Sequence, residues 1–283
     1  MTVLGLWRIS NNNVTPRLKE IEMTCNSSLD ECSLNIPAGA YTTFRTYKHW
    51  HALHLEDHFR RLEETSQLIN GKQLLDGPSI RIVLKQLLQQ FDDIPELRVR
   101  LTLDLVKFPG DLYIMMEPLH VPSSDLYLNG VKTITTALSR SNPKAKATSF
   151  IEKTAELRSK LPEGINESLM VNQQGYILEG LSSNFFAIKN GEIWTNDRDV
   201  LSGITRQIVL DEALAENLVI HYESIQTSDI AGLNEAFITS SSRAVLPVVK
   251  IDETIIGAGK PGELSLLLLD RYTKRVEKEI QHI

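Results

Sequence analysis

The sequence contains few cysteines, with only two among 283 residues. Cys25 and Cys32 are close enough in sequence for a disulfide, but a reducing cytosol would keep both thiols free. Neither cysteine belongs to a CxxC or HxxxH arrangement, which argues against a metal or redox role. We therefore expect the function to depend on other residues.

Long hydrophobic runs are also lacking. The apolar run Leu266–Leu269 is ended by Asp270, whereas a bilayer-spanning helix needs about 20 apolar residues. The segment Met1–Arg8 has neither the basic start nor the long apolar region of a signal peptide. These absences predict a cytoplasmic protein that does not bind membranes.

The chain has no excess of basic residues. Its 30 lysines and arginines face 36 acidic residues, which gives a net charge of −6. Nucleic-acid binding requires a basic surface, so we expect no nucleic-acid partner. A small anion is still allowed, because one buried arginine or helix terminus can hold a phosphate in an acidic protein.

The composition is that of a globular protein, with 42% hydrophobic and 23% charged residues. The segment Pro118–Ser124 contains two prolines and two serines, as a linker would. We therefore predict a small N-terminal α/β domain at 1–118, a linker at 119–124 and a larger domain with a strand-rich core at 125–283. Strands dominate both halves and helices cover them, which predicts an α+β fold with two domains.

Residue periodicity predicts the elements of both domains. Asp76 followed by Pro78 marks a helix start, and Asn190-Gly191 favours a type I′ hairpin turn. The stretch 98–106 alternates polar and apolar residues, as in a half-buried strand. The predicted strands are 41–47, 98–106, 112–116, 168–171, 176–178, 185–189, 192–195 and 236–239, and the predicted helices are 55–69, one from 76, 149–161, 204–218 and 262–279.

Three local segments carry candidate chemistry. Leu201–Arg206 is a glycine turn that leads into a helix, whose free N–H groups suit a phosphate. Thr239–Arg243 places hydroxyls and a guanidinium at a strand end, where they could complete an anion cup. Glu179–Asn184 carries one carboxylate in an uncharged turn. Taken singly, each segment also fits an ordinary helix cap, a polar loop or a solvated glutamate.

Together these segments resemble class IV aminotransferases, a family that includes branched-chain and D-amino-acid aminotransferases and aminodeoxychorismate lyase. The order and approximate spacing of four motifs match over about residues 146–252, and His58–Leu62 resembles the N-terminal HxxRL motif of the family. The four motifs are Tyr176–Gly180 with Ser183–Phe186, Gly203–Arg206, Phe237–Ser240 and Leu246–Val248.

The resemblance implies pyridoxal 5'-phosphate as cofactor, attached to a lysine by a Schiff base. Counting back without a gap from Glu167 and Leu169 puts Lys146 at the position of that lysine. Lys153 is an alternative that would need a deletion in the intervening helix, and Lys144 and Lys160 are expected on the surface. The free amine of Lys146 would then act as general acid and base.

The resemblance also implies a cofactor-binding set. Glu179 would face the pyridine nitrogen and keep it protonated, Arg61 would pair with the phosphate, and Leu201 would support one face of the ring. The remaining members of the phosphate cup are Gly203, the backbone of Ile204 and Thr205, and the hydroxyls of Ser240 and Ser241.

Substrate-binding residues are less sharply indicated, because the chain departs from the family pattern. Tyr41-Thr42-Thr43 replaces the usual Y/F-E pair and is closer to the threonine pair of some aminodeoxychorismate lyases. A common T/S-R-G triplet is replaced by Thr102-Leu103-Asp104, so Arg98 or Arg100 could supply the missing arginine. Phe150 lacks the tyrosine hydroxyl of branched-chain enzymes. Arg243 could contact a substrate carboxylate, and a solvated surface charge is the alternative for all three arginines.

The histidines His49, His51, His54 and His58 suggest a metal at first sight, but no cysteine or carboxylate triad accompanies them, so we predict no metal site. Transamination between an amino acid and a 2-oxo acid is the leading hypothesis. The alternatives are a 4-amino-4-deoxychorismate lyase that releases pyruvate, and a non-catalytic relative that binds a ligand. The resemblance further implies a homodimer.

Overall fold

In the computed structural model, residues 2–10, 17–22, 27–69 and 71–283 are described, and Cys25 lies outside them. The chain divides into two units. The first contains the residues up to His120 together with Ala145–Ala155 and Glu279–Ile283, and the second contains Val121–Lys144 and Glu156–Lys278. The α-helices are α1 (Leu29–Cys32), α2 (Leu55–Ile69), α3 (Gly77–Leu88), α4 (Ser124–Asn129), α5 (Thr148–Ser159), α6 (Ile204–Ala215) and α7 (Glu263–Glu279).

The first unit is built on a seven-stranded antiparallel sheet with the order β16-β4-β3-β5-β6-β1-β2. Its strands are β1 (Gly5–Ser10), β2 (Arg17–Glu20), β3 (Gly39–Tyr47), β4 (His51–Ala52), β5 (Leu97–Asp104), β6 (Leu112–Pro118) and β16 (Gln281–His282). Long β3 and β6 flank β5, so β5 lies at the centre of this sheet.

The predicted strand at 98–106 is confirmed as β5, but the expectation that it is half-buried was wrong, because β5 is buried on both faces. Its apolar residues, such as Val99 and Leu101, pack in one core with Phe59 of α2 and Leu84 of α3. Its polar residues lie on the opposite face and are also buried, since Arg100 is only 2% exposed. Alternation alone cannot distinguish solvent from a polar interior, because both accept hydrophilic side chains.

The helices of the first unit follow their sequence signals. The predicted helix at 55–69 is confirmed as α2. The predicted start near Asp76 is also confirmed, since the Asp76 carboxylate accepts a hydrogen bond of 3.2 Å from the Ser79 N–H and Pro78 lies in the first turn of α3. This pairing satisfies one of the backbone donors that a helix start leaves open.

The second unit contains a nine-stranded mixed sheet with the order β12-β11-β10-β13-β14-β7-β8-β9, and β15 pairs with β14. An additional pairing of β9 with β10, at Glu179 and Asn184, closes six of these strands into a ring. The strands are β7 (Val131–Ala137), β8 (Ile165–Val171), β9 (Ile177–Gly180), β10 (Asn184–Lys189), β11 (Glu192–Trp194), β12 (Ile220–His221), β13 (Glu235–Ser240), β14 (Ala244–Ile251) and β15 (Thr254–Ile255).

The second unit corrects one detail of the sequence interpretation. Glu179 and Gly180 belong to β9 and not to a turn, so only residues 181–183 connect β9 to β10. The predicted hairpin at Asn190-Gly191 is confirmed, because both residues have positive φ angles, +55° and +77°, as a type I′ turn requires. The mixture of helices and strands agrees with the predicted α+β class.

Candidate functional site

Lys146 is fixed by its backbone in the first unit. Its N–H donates a hydrogen bond of 3.2 Å to Thr65 Oγ1 of α2, and its carbonyl accepts one of 2.8 Å from the Tyr41 N–H of β3. The clamp continues at the next residues, since the Gly39 N–H donates to Thr148 Oγ1 at 2.9 Å. Strand β3 and helix α2 therefore hold this lysine at a defined place.

The side chain of Lys146 lies against an aromatic ring. Its Nζ is 4.8 Å from the centroid of the Tyr41 ring, within the range of a cation–π contact. The Cζ atom of Arg100 lies 5.0 Å from the same centroid. The Tyr41 ring therefore lies close to both Lys146, the predicted cofactor lysine, and Arg100, a predicted substrate-binding residue.

His58, from the motif that resembles HxxRL, is buried beside these cations. Burial, together with repulsion from Arg61, Lys146 and His54, holds the pKa of His58 well below its ordinary value. Its Nδ1 lies 2.7 Å from Thr42 Oγ1 of β3. The neutral imidazole therefore links α2 to β3, and sequence reasoning had assigned it no role.

The predicted substrate arginines are paired within the first unit. Arg98 donates to Glu117 at 2.8 Å. Arg100 donates to Thr43 Oγ1 at 3.1 Å and forms an ion pair of 2.7 Å with Asp30 of α1. Its Nη1 also donates to the Leu29 carbonyl and to Ser33 Oγ. These arginines are not solvated surface charges.

The other lysine candidates occupy different surroundings. Lys153 is exposed on α5, and Lys160 is exposed in an ion pair with Glu156. In the second unit, Lys144 Nζ donates to the Asp197 carbonyl and to Ser202 Oγ. Phe150, a predicted substrate residue, is buried on α5 in the first unit.

Glu179 is the buried carboxylate of the second unit that the motifs single out. Arg140 Nε donates to its Oε1 at 2.7 Å. Its Oε2 accepts from Asn184 Nδ2 at 3.1 Å and from the Leu201 N–H at 3.2 Å. These three N–H donors favour the ionised carboxylate. Sequence reasoning missed Arg140 because it lies outside the motifs.

The start of α6 lies next to this carboxylate. Asn184 Nδ2 also donates to the Leu201 carbonyl at 2.8 Å, so one amide joins Glu179 to the turn before α6. Gly203 is the N-cap residue and, since glycine has no side chain, it cannot cap the first N–H groups of the helix. A Cβ atom at Gly203 would lie 2.1 Å from Asn184 Oδ1, so only glycine allows this close approach. Ile204 and Thr205 form the first turn of the helix.

Hydroxyl groups line the end of β13. Thr239 pairs with Asn184 across the two strands, which puts both side chains on one face of the sheet. Within the described part of the chain, no partner reaches the buried Thr239 Oγ1. Ser240 ends the strand and Ser241 follows it. The hydrogen bonds of Asn184 therefore connect Glu179 and Leu201 in one cluster beside Gly203, and Thr239 lies on the same face of the sheet as Asn184.

Arg243 has partners that the sequence did not reveal. Its Nη2 donates to Glu167 Oε2 at 2.9 Å and to Ser182 Oγ at 2.8 Å, and its Nε donates to Ser240 Oγ at 3.1 Å. Glu167 is 1% exposed. This carboxylate served only as a reference position in the sequence, and its interaction with Arg243 spans 76 residues.

The described residues offer no metal site and no membrane-spanning helix. Within residues 2–10, 17–22, 27–69 and 71–283, no three His, Cys, Asp or Glu side chains are grouped so that they could hold a metal ion. In the same ranges, no helix has the length and apolarity required to cross a membrane. Cys32 is buried, and its thiol lies 3.9 Å from the Ser27 carbonyl.

Comparison with known proteins places this geometry in context. A "Probable branched-chain-amino-acid aminotransferase" of Aquifex aeolicus is 36% identical over 141 residues, which cover 48% of this chain and 44% of that protein. A D-alanine aminotransferase of Staphylococcus haemolyticus is 34% identical over 103 residues, covering 36% of each chain. The chain spans about half the length, or less, of the curated relatives it matches first.

A solved structure and a family model extend the likeness to most of the chain. The branched-chain aminotransferase of the archaeon Thermoproteus uzoniensis, solved with norvaline, superposes with a TM-score of 0.75 and covers 99% of both chains at 20% identity. At this identity the superposition establishes the fold. The model of the class IV amino-transferases matches residues 39–251. The chain therefore belongs to the class IV aminotransferase family.

Proposed function

We propose that the chain is a pyridoxal-phosphate-dependent aminotransferase that carries its cofactor on Lys146. The observation that carries this proposal is the clamp on Lys146, whose N–H and carbonyl are bonded to Thr65 and Tyr41. A surface lysine needs no such positioning. The relatives named branched-chain and D-alanine aminotransferases support the same reaction class.

The buried groups of the second unit fit such a cofactor. Glu179 is held as a carboxylate by Arg140 and can keep a pyridine nitrogen protonated. When bound, pyridoxal phosphate supplies an electron sink for charge that develops at the substrate α-carbon. The backbone of Leu201 is held by hydrogen bonds at its N–H and carbonyl, and its side chain would support one face of the ring.

The phosphate can be held by the helix start and the hydroxyls. The free N–H groups at Ile204 and Thr205, with the positive dipole end of α6, favour an anion. The buried Thr239 Oγ1 suits an added acceptor. Ser240 and Ser241 supply further hydroxyls. Arg61 of α2 would add the planar fork that phosphate favours.

Lys146 would also move the proton. The amine of Lys146 would take a proton from the substrate α-carbon as a general base and give it back as a general acid. Tyr41 limits the positions that the amine can reach, because the ring contacts it at 4.8 Å. Positioning of this kind shortens the search for the reactive geometry.

The proposed substrates are an amino acid and a 2-oxo acid. The candidate substrate-binding residues on β3 and β5 share the face of the sheet opposite the apolar core, and they are Tyr41, Thr43, Arg98 and Arg100. Phe150 on α5 is the further candidate. Thr42 is directed to His58 on the other face, so the threonine pair that suggested a lyase does not act as a pair. We also propose a homodimer, which the family resemblance implies.

A labelling experiment tests the proposal. Protein loaded with pyridoxal phosphate is reduced with borohydride, and the modified peptide is located by mass spectrometry. We expect the cofactor mass on Lys146, its loss in Lys146→Ala, and its retention in the matched control Lys153→Ala. Modification of another lysine, or a wild-type protein that stays unmodified, would refute the assignment.

A substrate panel separates the reaction classes. Bound-cofactor absorbance is followed while L- and D-amino acids are added to the loaded protein. We expect a spectral change with at least one amino acid and its reversal by a 2-oxo acid. An absorbance that stays unchanged with every amino acid, together with pyruvate release from 4-amino-4-deoxychorismate, would instead establish the lyase.

A further inference from the structure

A second buried carboxylate of the second unit, Glu167, joins two loops. It accepts hydrogen bonds from the Ser182 N–H at 3.3 Å, from Ser182 Oγ at 2.8 Å and from Ser183 Oγ at 2.9 Å. It also accepts from the Ser168 N–H and from Arg243 Nη2. Four of these five donors bond to Oε2 and the Ser168 N–H bonds to Oε1, so Glu167 is engaged chiefly by groups of the protein itself.

Arg243 connects this carboxylate to the loop after β13. Its Nη2 reaches Glu167 and Ser182, its Nη1 lies 3.4 Å from the Asn166 carbonyl, and its Nε reaches Ser240 Oγ. The guanidinium therefore joins β8, the connection from β9 to β10 and the hydroxyl at the end of β13. A planar fork can make these bonds at once, whereas a lysine cannot.

The contact fixes the polarity of the Ser240 hydroxyl. A guanidinium only donates hydrogen bonds, so Ser240 Oγ must accept the bond from Arg243 Nε. The hydroxyl proton then points away from Arg243 and is available for an acceptor such as a phosphate oxygen. Without Arg243, the hydroxyl could rotate and present a lone pair to the anion.

We propose that Arg243, held in place by Glu167, is a positioning residue for cofactor-phosphate binding that acts through Ser240 and not by contact with a ligand. This inference rests on the proposed cofactor-binding function. Glu167 holds the guanidinium, and the guanidinium holds Ser240 Oγ as a donor. The same carboxylate holds Ser182 and Ser183, which connect β9, the strand of Glu179, to β10, the strand of Asn184. Glu167 therefore supports both Arg243 and the connection between these two strands.

Binding to the apo-protein tests this inference through the difference between two probes. Dissociation constants are measured for pyridoxal phosphate and for pyridoxal, which lacks the phosphate. We expect Arg243→Gln to weaken pyridoxal phosphate binding about tenfold, the effect of one charge-assisted hydrogen bond, and to change pyridoxal binding much less. Arg271→Gln, which removes an ion pair to Glu216 elsewhere in the second unit, is the matched control and should change neither.

Glu167→Gln gives the sharpest distinction, because the two roles of Arg243 predict opposite signs. If Arg243 must be held by Glu167 to position Ser240, this substitution weakens pyridoxal phosphate binding as Arg243→Gln does. If Arg243 instead contacts the anion, a weaker hold by residue 167 frees the guanidinium and binding tightens. Tighter or unchanged binding of pyridoxal phosphate by Glu167→Gln would overturn the inference.

A cycle with Ser240→Ala adds a test that does not depend on the buried carboxylate. Once the hydroxyl is absent, Arg243→Gln should cost no further affinity for pyridoxal phosphate, whereas independent effects would multiply. If Arg243→Gln does not fold, Arg243→Lys takes its place in the cycle. Equal weakening of both probes would also overturn the inference. A wild-type protein that does not bind pyridoxal phosphate would refute the proposed function itself.

Discussion

Glu179 and Glu167 are two buried carboxylates in one unit, and each is paired with an arginine from a distant part of the sequence. Glu179 accepts from Arg140, Asn184 and the Leu201 N–H. Glu167 accepts from two serine hydroxyls, two backbone N–H groups and Arg243. Both lie on neighbouring strands, β9 and β8, yet their surroundings differ in kind.

The difference shows how equal burial can serve different purposes. Four of the five donors to Glu167 come from Ser182, Ser183 and Arg243, which lie in two loops, so its Oε2 atom is occupied in holding these loops together. The partners of Glu179 instead fix it beside Leu201 and the start of α6, where we propose that the phosphate binds. Burial marks both residues, and only the identity of the donors separates a proposed cofactor ligand from its support.

The largest effect is expected from a substitution of Glu179, the carboxylate that would contact the cofactor. Glu179→Gln keeps the shape of the side chain but removes the charge that would hold a pyridine nitrogen protonated. We expect kcat to fall roughly 100-fold, with the free energy of unfolding less affected. Steady-state kinetics and urea unfolding measure the two quantities. A variant with wild-type kcat would contradict the proposed role.

Removal of Glu167 should show its effect mainly in stability. Glu167→Ala leaves Arg243 without its ionic partner and four other donors without an acceptor. We expect the free energy of unfolding to fall by about 3 kcal/mol, measured by urea denaturation of the apo-protein. Glu253→Ala, at an exposed ion pair with Lys250, is the control and should leave stability unchanged. An equally stable Glu167→Ala protein would disprove the supporting role.

Gly203→Ala sharpens the comparison, because it disturbs the partners of Glu179 and leaves those of Glu167 in place. The new Cβ would displace Asn184. We expect the dissociation constant for pyridoxal phosphate to rise about tenfold, or roughly 1.4 kcal/mol. Gly232→Ala, where an added Cβ meets open space, is the matched control. Unchanged binding by Gly203→Ala would argue against a phosphate site at this helix start.

His58 offers the smallest effect and the opposite electrostatic case, a buried group kept neutral. Its pKa is lowered by burial and by the cations Arg61, Lys146 and His54. Below about pH 6.5, His58 therefore binds a proton in the unfolded chain but not in the folded chain. The free energy of unfolding consequently falls as the pH falls. Between about pH 6.5 and 5.5, we expect His58→Gln to lose less stability than the wild type, by about 1 kcal/mol. Parallel pH profiles would contradict this account.

Secondary structure with strong local signals could be predicted from the sequence. The helix α2 shows clear apolar spacing, and α3 begins at an Asp cap with Pro78. The strands β1, β2, β7 and β14 were missed. In β14, Pro247 weakens the strand pattern, and a register irregularity near Val248 accommodates the chain between its two neighbours. Such accommodation depends on the adjoining strands.

The sequence also indicated most of the candidate site, because its motifs are local. The glycine before α6 and the hydroxyls at the end of β13 lie in short segments whose backbone conformation follows from their residue types. Thr65 was not singled out, and His58 and Asn184 were named only as members of motifs or of a histidine group, without the contacts that they make. Each acts through a hydrogen bond to a residue that is brought close only by the pairing of strands and helices.

The sequence by itself determined the family, the fold class and the order of the motif-bearing segments, because these depend on residue patterns that persist along the chain. Only the tertiary structure decided which arginine neutralises which carboxylate. Arg140 reaches Glu179 across 39 positions and Arg243 reaches Glu167 across 76. Electrostatic attraction does not depend on sequence separation, and a buried ion pairs with the group that the packing brings within hydrogen-bond distance.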